Sequence, residues 1–154
     1  VTRVQRGAAV RAWLIAGTLD IAYAAGLTLM AGGSVGGMLR GVASGPFQSA
    51  SGWGPVGAVA GLGVHFAIMA AMVAAWFSAV HRWPALADLS WWIGGTLYGL
   101  LLYLVMNAIV LPLRFGSPFP PEDLANAALL LLPHVLLVGW PIAWLARNKE
   151  TPRC

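Results

Sequence analysis

The chain has 154 residues, of which 59% are apolar and 9% charged, with nine lysines and arginines against five acids and a formal charge of +4. So few charged side chains cannot coat a water-soluble globule, which excludes a soluble domain and leaves an integral membrane protein. The basic excess is not a nucleic-acid footprint, because the cations flank apolar runs, where membrane topology places them, rather than clustering in a groove.

The first apolar run, residues 11–31, follows Arg3, Arg6 and Arg11. A basic start and Ala22-Tyr23-Ala24 resemble a cleavable leader, but the run is too long and is interrupted by Asp20. It reads as an uncleaved signal-anchor span, since about 20 apolar residues cross a bilayer. Residues 32–54 hold eight of the 19 glycines. Within them Val35, Met38, Leu39 and Val42 recur at helical spacing around Arg40, which predicts a short amphipathic helix in the membrane interface. The competing reading is an ordered loop packed on the mouth of the bundle.

A second span is predicted over residues 55–81 and a third over 91–111, joined by a short turn after His81-Arg82-Trp83-Pro84. His81 reads as an interfacial residue. Gly57 and Gly61, and again Gly95 and Gly99, stand four apart on one helix face, a spacing that admits a neighbouring backbone. Pro112 is expected to end the third helix. A fourth span is predicted over 122–146, opened by Glu122 and Asp123, whose charge suits a helix start. Pro133 and Pro141 lack a donor, so the carbonyls of Leu129 and Leu137 need other partners and a kink is expected.

These runs predict an all-α bundle of four transmembrane helices, one integral membrane domain over residues 1–154. Orientation follows from the cations. With both termini cytoplasmic, Arg3, Arg6, Arg11, Arg82, Arg147, Lys149 and Arg153 lie inside, and only Arg40 and Arg114 outside. Trp13, Trp83, Trp91, Trp92 and Trp144 then form an inner aromatic belt, with Trp53 at the outer interface. Cys154 is the sole cysteine, so no intrachain disulfide forms, and it is not placed for prenylation. Gly17-Thr18-Leu19-Asp20 is echoed by Gly95-Thr96-Leu97-Tyr98, which an old duplication of a helical hairpin would explain, although residues so common in membrane helices recur by chance more readily.

Counting about 1.5 Å per residue from each span's start puts Asp20, His65 and His134 roughly 13–18 Å deep, near the midplane. Asn107 falls in the outer third and Tyr98 in the inner third of the third span. An ionisable group at such depth is a functional candidate, because its charge must be neutralised, paired or turned to a polar cavity. Three readings compete. In the first, Asp20, His65 and His134, with Asn107 and Tyr98 nearby, form a cluster that binds or passes protons or a small ion, histidine being the side chain that titrates near neutrality. Alternatively His65 with Met69 and Met72 holds copper, or two histidines hold a haem. Or the groups only pin helix register, and the bundle is a non-catalytic accessory or scaffold subunit of a larger membrane complex. No paired metal-ligand spacing is present, so no cofactor and no metal is expected. No nucleophile elbow, phosphate loop or paired-metal carboxylate motif appears either, so the expectation is not an enzyme. Expected partners are the lipid bilayer and other membrane subunits or further copies of the chain, with no nucleic acid.

The order of short motifs adds a resemblance. Gly17-Thr18-Leu19-Asp20-Ile21, Ala43-Ser44-Gly45, His65-Phe66, Arg82-Trp83-Pro84, Tyr98-Gly99, Met106-Asn107, Pro112-Leu113, and His134 with Pro141 follow one another in the pattern. Together they resemble a family of small four-span bacterial inner-membrane proteins of unknown function and, more distantly, the YagU-like proteins. Gly45-Pro46-Phe47 and Trp53-Gly54-Pro55 depart from the smoother glycine and alanine run of that pattern. The resemblance implies a bacterial inner membrane and carries no activity.

Overall fold

A computed structural model describes residues 3–121 and 123–147. Glu122, Lys149, Arg153 and Cys154, used above for helix start, orientation and thiol chemistry, lie outside the described residues. All described secondary structure is helical. Four helices, Gln5–Met30, Gly54–Arg82, Trp91–Phe115 and Leu124–Ala146, are long and apolar enough to cross a membrane, so the chain is a multi-pass membrane protein.

Helix α1 (Arg3–Met30) begins well before Ala12, and its 28 residues reach about 42 Å, longer than the ~30 Å hydrocarbon core. The arginines of the N-terminal segment therefore ride on the span itself. Its end is set by Gly32 at φ +76°, with the Gly33 amide bonded to Thr28 O and that of Gly32 to Leu29 O. That pairing satisfies the last carbonyls and needs a residue without a Cβ in the left-handed region.

Helix α2 (Val35–Ala43) starts where the Ser34 hydroxyl accepts from the Gly37 amide at 3.1 Å. The predicted amphipathic helix exists, and it packs against α3 (Gly54–Arg82). Gly57 and Gly61 serve this contact rather than one between two spans. A Cβ on Gly61 would overlap the Leu39 carbonyl, and one on Gly57 would stand 2.5 Å from Ala50 O. The 3₁₀ turn Gln48–Gly52 completes the loop. Arg114 fastens it from the third span, donating Nε to Gly45 O at 2.5 Å and Nη2 to Ser44 O at 2.6 Å, where the C-terminal dipole of α2 favours a cation. Arg114→Ala removes both charge-assisted bonds. The expected result is amide exchange across residues 44–52 faster by about tenfold or more, with the spans unchanged, read by hydrogen–deuterium exchange in detergent.

After the short α4 (Ala85–Asp88), the third span comprises α5 (Trp91–Leu104), a π-helical turn at Val105–Val110 and α6 (Leu111–Phe115). Pro112 does not end this helix. The wider π turn before it takes up the missing donor and the bulk of the ring, and the helix stops at Gly116, φ +66°, whose amide bonds Pro112 O. The fourth span begins at Leu124, because Asp123 is the cap itself, its carboxylate accepting from the amides of Ala125 and Asn126 at 3.2 Å each. It comprises α7 (Leu124–Leu132), a π turn at Pro133–Gly139 and α8 (Trp140–Ala146).

The third and fourth spans meet at glycines on both sides. A Cβ on Gly99 would come 2.5 Å from His134 O, one on Gly95 would come 2.8 Å from Gly139 O, and one on Gly139 would overlap Gly95 O. Trp140 adds an indole bond to Thr96 Oγ1 at 3.0 Å. The fourth span packs in turn on α1, and α1 on α3. Tyr98 closes the ring by donating its hydroxyl to Met72 O of α3 at 2.6 Å and stacking on Trp76. The tight core, with Ala12, Ala16, Val73, Trp76, Leu102 and Ile142, fills the half of the bundle next to Arg6, Arg82 and Arg147. This end is called the basic face, and the opposite end, with α2 and Arg114, the loop face.

Candidate functional site

Asp20 and His65 are brought together by a glycine. Gly17 lies one turn from Asp20 on α1, and a Cβ there would stand 2.6 Å from the Phe66 ring, so its absence lets α3 close on α1. His65, 7% exposed, then reaches across with Nε2 to Gly17 O at 2.8 Å and presents Nδ1 to Asp20 Oδ2 at 4.0 Å. The Asp20 side chain is 26% exposed, part-buried between the helices.

This geometry decides which ring nitrogen carries hydrogen. A carbonyl only accepts, so Nε2 must be the donor, and in the neutral ring Nδ1 is then a lone pair facing a carboxyl oxygen. Two acceptors facing each other repel. The contact is favourable only when a proton sits on one of them, as imidazolium with carboxylate or as imidazole with carboxylic acid. At 4.0 Å the transfer needs a small approach of the side chains or one intervening water. One proton between the two groups turns the contact from repulsive to favourable.

His134 joins from the fourth span at longer range. Tyr23, three residues on from Asp20, donates its hydroxyl to Leu129 O at 3.0 Å. This is the carbonyl that Pro133 leaves without its amide, so the neighbour expected for it is Tyr23. The bond also sets register: three residues back along α1 is Asp20, and an equal step along the antiparallel fourth span stops two short of His134. His134 donates Nδ1 to Leu130 O at 2.7 Å and packs its ring edge-on against Tyr103 at 5.9 Å, leaving Nε2 as the acceptor of the neutral ring.

The other two polar candidates separate. Asn107 is buried, bonds Tyr103 O of its own helix at 3.1 Å, and lies at a loop-face cavity of about 560 Å³ with Ser117, Asp123, Asn126 and Leu130. Neither His134 nor Asp20 lines that cavity. Tyr98 stands apart in the core of the basic half, occupied with Met72 O, and does not join the cluster. Its side chain turns to α3.

For a metal, the ring nitrogens of His65 face Gly17 O and Asp20, while Met69 and Met72 pack in and against the core. Among the described residues no three histidine, cysteine, aspartate or glutamate side chains gather where they could hold an ion. Sequence reasoning missed Gly17, Tyr23 and Tyr103 as members of the site. For the first two there was a signal, since residues three before and three after Asp20 share its helix face. Comparison of the chain with family models, with characterised proteins and with solved structures finds no match.

Proposed function

We propose that this is a proton- or small-ion-handling protein of a bacterial inner membrane, centred on Asp20 and His65, with His134 of the fourth span as a third group near the same level. The basic face is cytoplasmic in this reading, as the distribution of Arg6, Arg11, Arg82 and Arg147 against Arg40 and Arg114 supports. The single observation that carries it is the Asp20–His65 contact with its fixed ring orientation, in which one proton must reside on one partner or the other. Intramembrane acid–histidine pairs serve proton and ion pathways. The cavity at Asn107 supplies an approach from the loop face, and Leu130 on its lining is bonded to His134, whose ring packs on Tyr103. On the other side of the pair the packed core blocks the way, so passage requires a second arrangement of the helices near Ala16, Met69 and Val138.

The test is proton flux in proteoliposomes carrying a trapped pH dye, driven by a pH step. Asp20→Asn, which keeps size and polarity but cannot hold the proton, is expected to lower the flux at least about tenfold to that of empty vesicles. Asp20→Glu is expected to retain part of it. Undiminished flux in Asp20→Asn would defeat the proposal, and a wild-type rate equal to that of empty vesicles would favour the accessory-subunit reading instead.

A further inference from the structure

A second polar site lies at the basic face, away from Asp20. A cavity of about 320 Å³ opens between the end of α3, the α4 turn, the start of α5 and the end of α8. Its size suits a small ligand or a headgroup. Two buried polar atoms on its lining residues have no hydrogen-bond partner, the indole Nε1 of Trp76 and the hydroxyl of Ser90. Trp76 is 7% exposed. Buried donors are satisfied in the great majority of cases, so two orphans on one cavity call for an explanation.

The local geometry says what would satisfy them. Ser90 occupies the cap position of α5, a helix of 14 residues, yet its side chain makes no capping bond, leaving the first-turn amides without one. The Cζ2–Cη2 edge of Trp76 lies over that turn, so close that a Cβ on Gly94 would stand 3.2 Å from it, and Nε1 adjoins the same edge. Arg147 stands at the rim. Indole N–H, hydroxyl, uncapped amides and guanidinium are all donors, a set that fits phosphate oxygens. Asp88, also at the rim, would oppose a simple anion but fits an ammonium group, beside the Trp91 ring, which attracts a cation.

We infer that this cavity binds an aminoalkyl phosphate, with the phosphate on the Trp76, Ser90 and Arg147 side and the ammonium on Asp88. Such a group can come from the headgroup of phosphatidylethanolamine in the adjoining leaflet or from free phosphoethanolamine. The site lies at the ends of the spans, at headgroup depth. It is independent of the Asp20 pair, and its test does not use flux.

Binding is measured on the whole protein in detergent with three probes: dihexanoyl phosphatidylethanolamine, dihexanoyl phosphatidylglycerol and O-phosphoethanolamine. The ethanolamine lipid is expected to bind at least about tenfold more tightly than the glycerol lipid. Trp76→Phe, which keeps the ring but not the N–H, and Arg147→Gln are each expected to weaken it severalfold, and Asp88→Asn to erase the preference between the two lipids. Ser90→Ala gives the same reading should Trp76→Phe not yield folded protein. Binding of O-phosphoethanolamine would identify the free compound as sufficient, while binding of the lipid alone would place the source in the membrane; both support the site. Equal binding of the two lipids by the wild-type protein, or ethanolamine-lipid binding untouched by the variants, would overturn it.

Discussion

Gly99→Leu is expected to abolish the folded bundle, seen as loss of the monodisperse peak in detergent and of a cooperative thermal transition. The first carbon of any side chain there would stand 2.5 Å from His134 O and 2.6 Å from the Val135 Cα, and both obstacles are backbone. Flexible side chains can rotate away from a new methyl, whereas a helix backbone must move as a body. Overpacking a close-packed site costs about 1–3 kcal/mol when side chains can adjust, and this site offers no such adjustment. Gly63→Leu is the control, because nothing lies within 4 Å of the position its Cβ would take. It is expected to leave the transition where it was. A folded Gly99→Leu protein would mean that the third and fourth spans do not meet at this face.

His65→Leu is expected to destabilise the protein more than the loss of one hydrogen bond would. Removing the imidazole leaves Asp20 between helices with no partner of opposite charge, and breaking a buried pair from one side costs roughly 3 kcal/mol. The 26% exposure of the Asp20 side chain and its freedom to take up a proton make that an upper figure. Asp20→Asn alone is expected to cost about 1 kcal/mol. The double variant should be more stable than the sum of the two predicts, by about 1 kcal/mol or more, since it leaves no orphaned charge. Chemical unfolding of the four proteins in one detergent measures the coupling. Additive costs would show that the 4.0 Å contact carries no energy.

The spans were legible because bilayer thickness and apolar composition leave few alternatives to a helix. Their ends were less so. Pro112 reads as a stop when an ordinary α-helix is assumed, and the widened turn at Val105–Val110 that lets the helix pass it has no sequence signature of its own. Gly57 and Gly61 were correctly read as a close-approach face, but spacing names a face and not the element that fills it. For the site, depth along each span brought Asp20, His65 and His134 to one level, while the direction of each side chain depends on how the helices rotate against one another. Gly17 beneath Phe66 fixes that rotation between α1 and α3 and the Tyr23–Leu129 bond between α1 and the fourth span, while Tyr98 of the third span turns away to α3.

The two π turns divide the molecule mechanically. α1 and α3 are uninterrupted helices of 28 and 29 residues, stiff rods joined at Gly17 and His65. The third and fourth spans each carry a joint, at Val105–Val110 and Pro133–Gly139, where the ladder is wide and a one-residue slip returns it to the regular pitch. His134 sits on one joint and Asn107 on the other. Flexing of the jointed pair against the rigid pair would therefore move His134 and Asn107, while the Asp20 carboxylate stays in its rod.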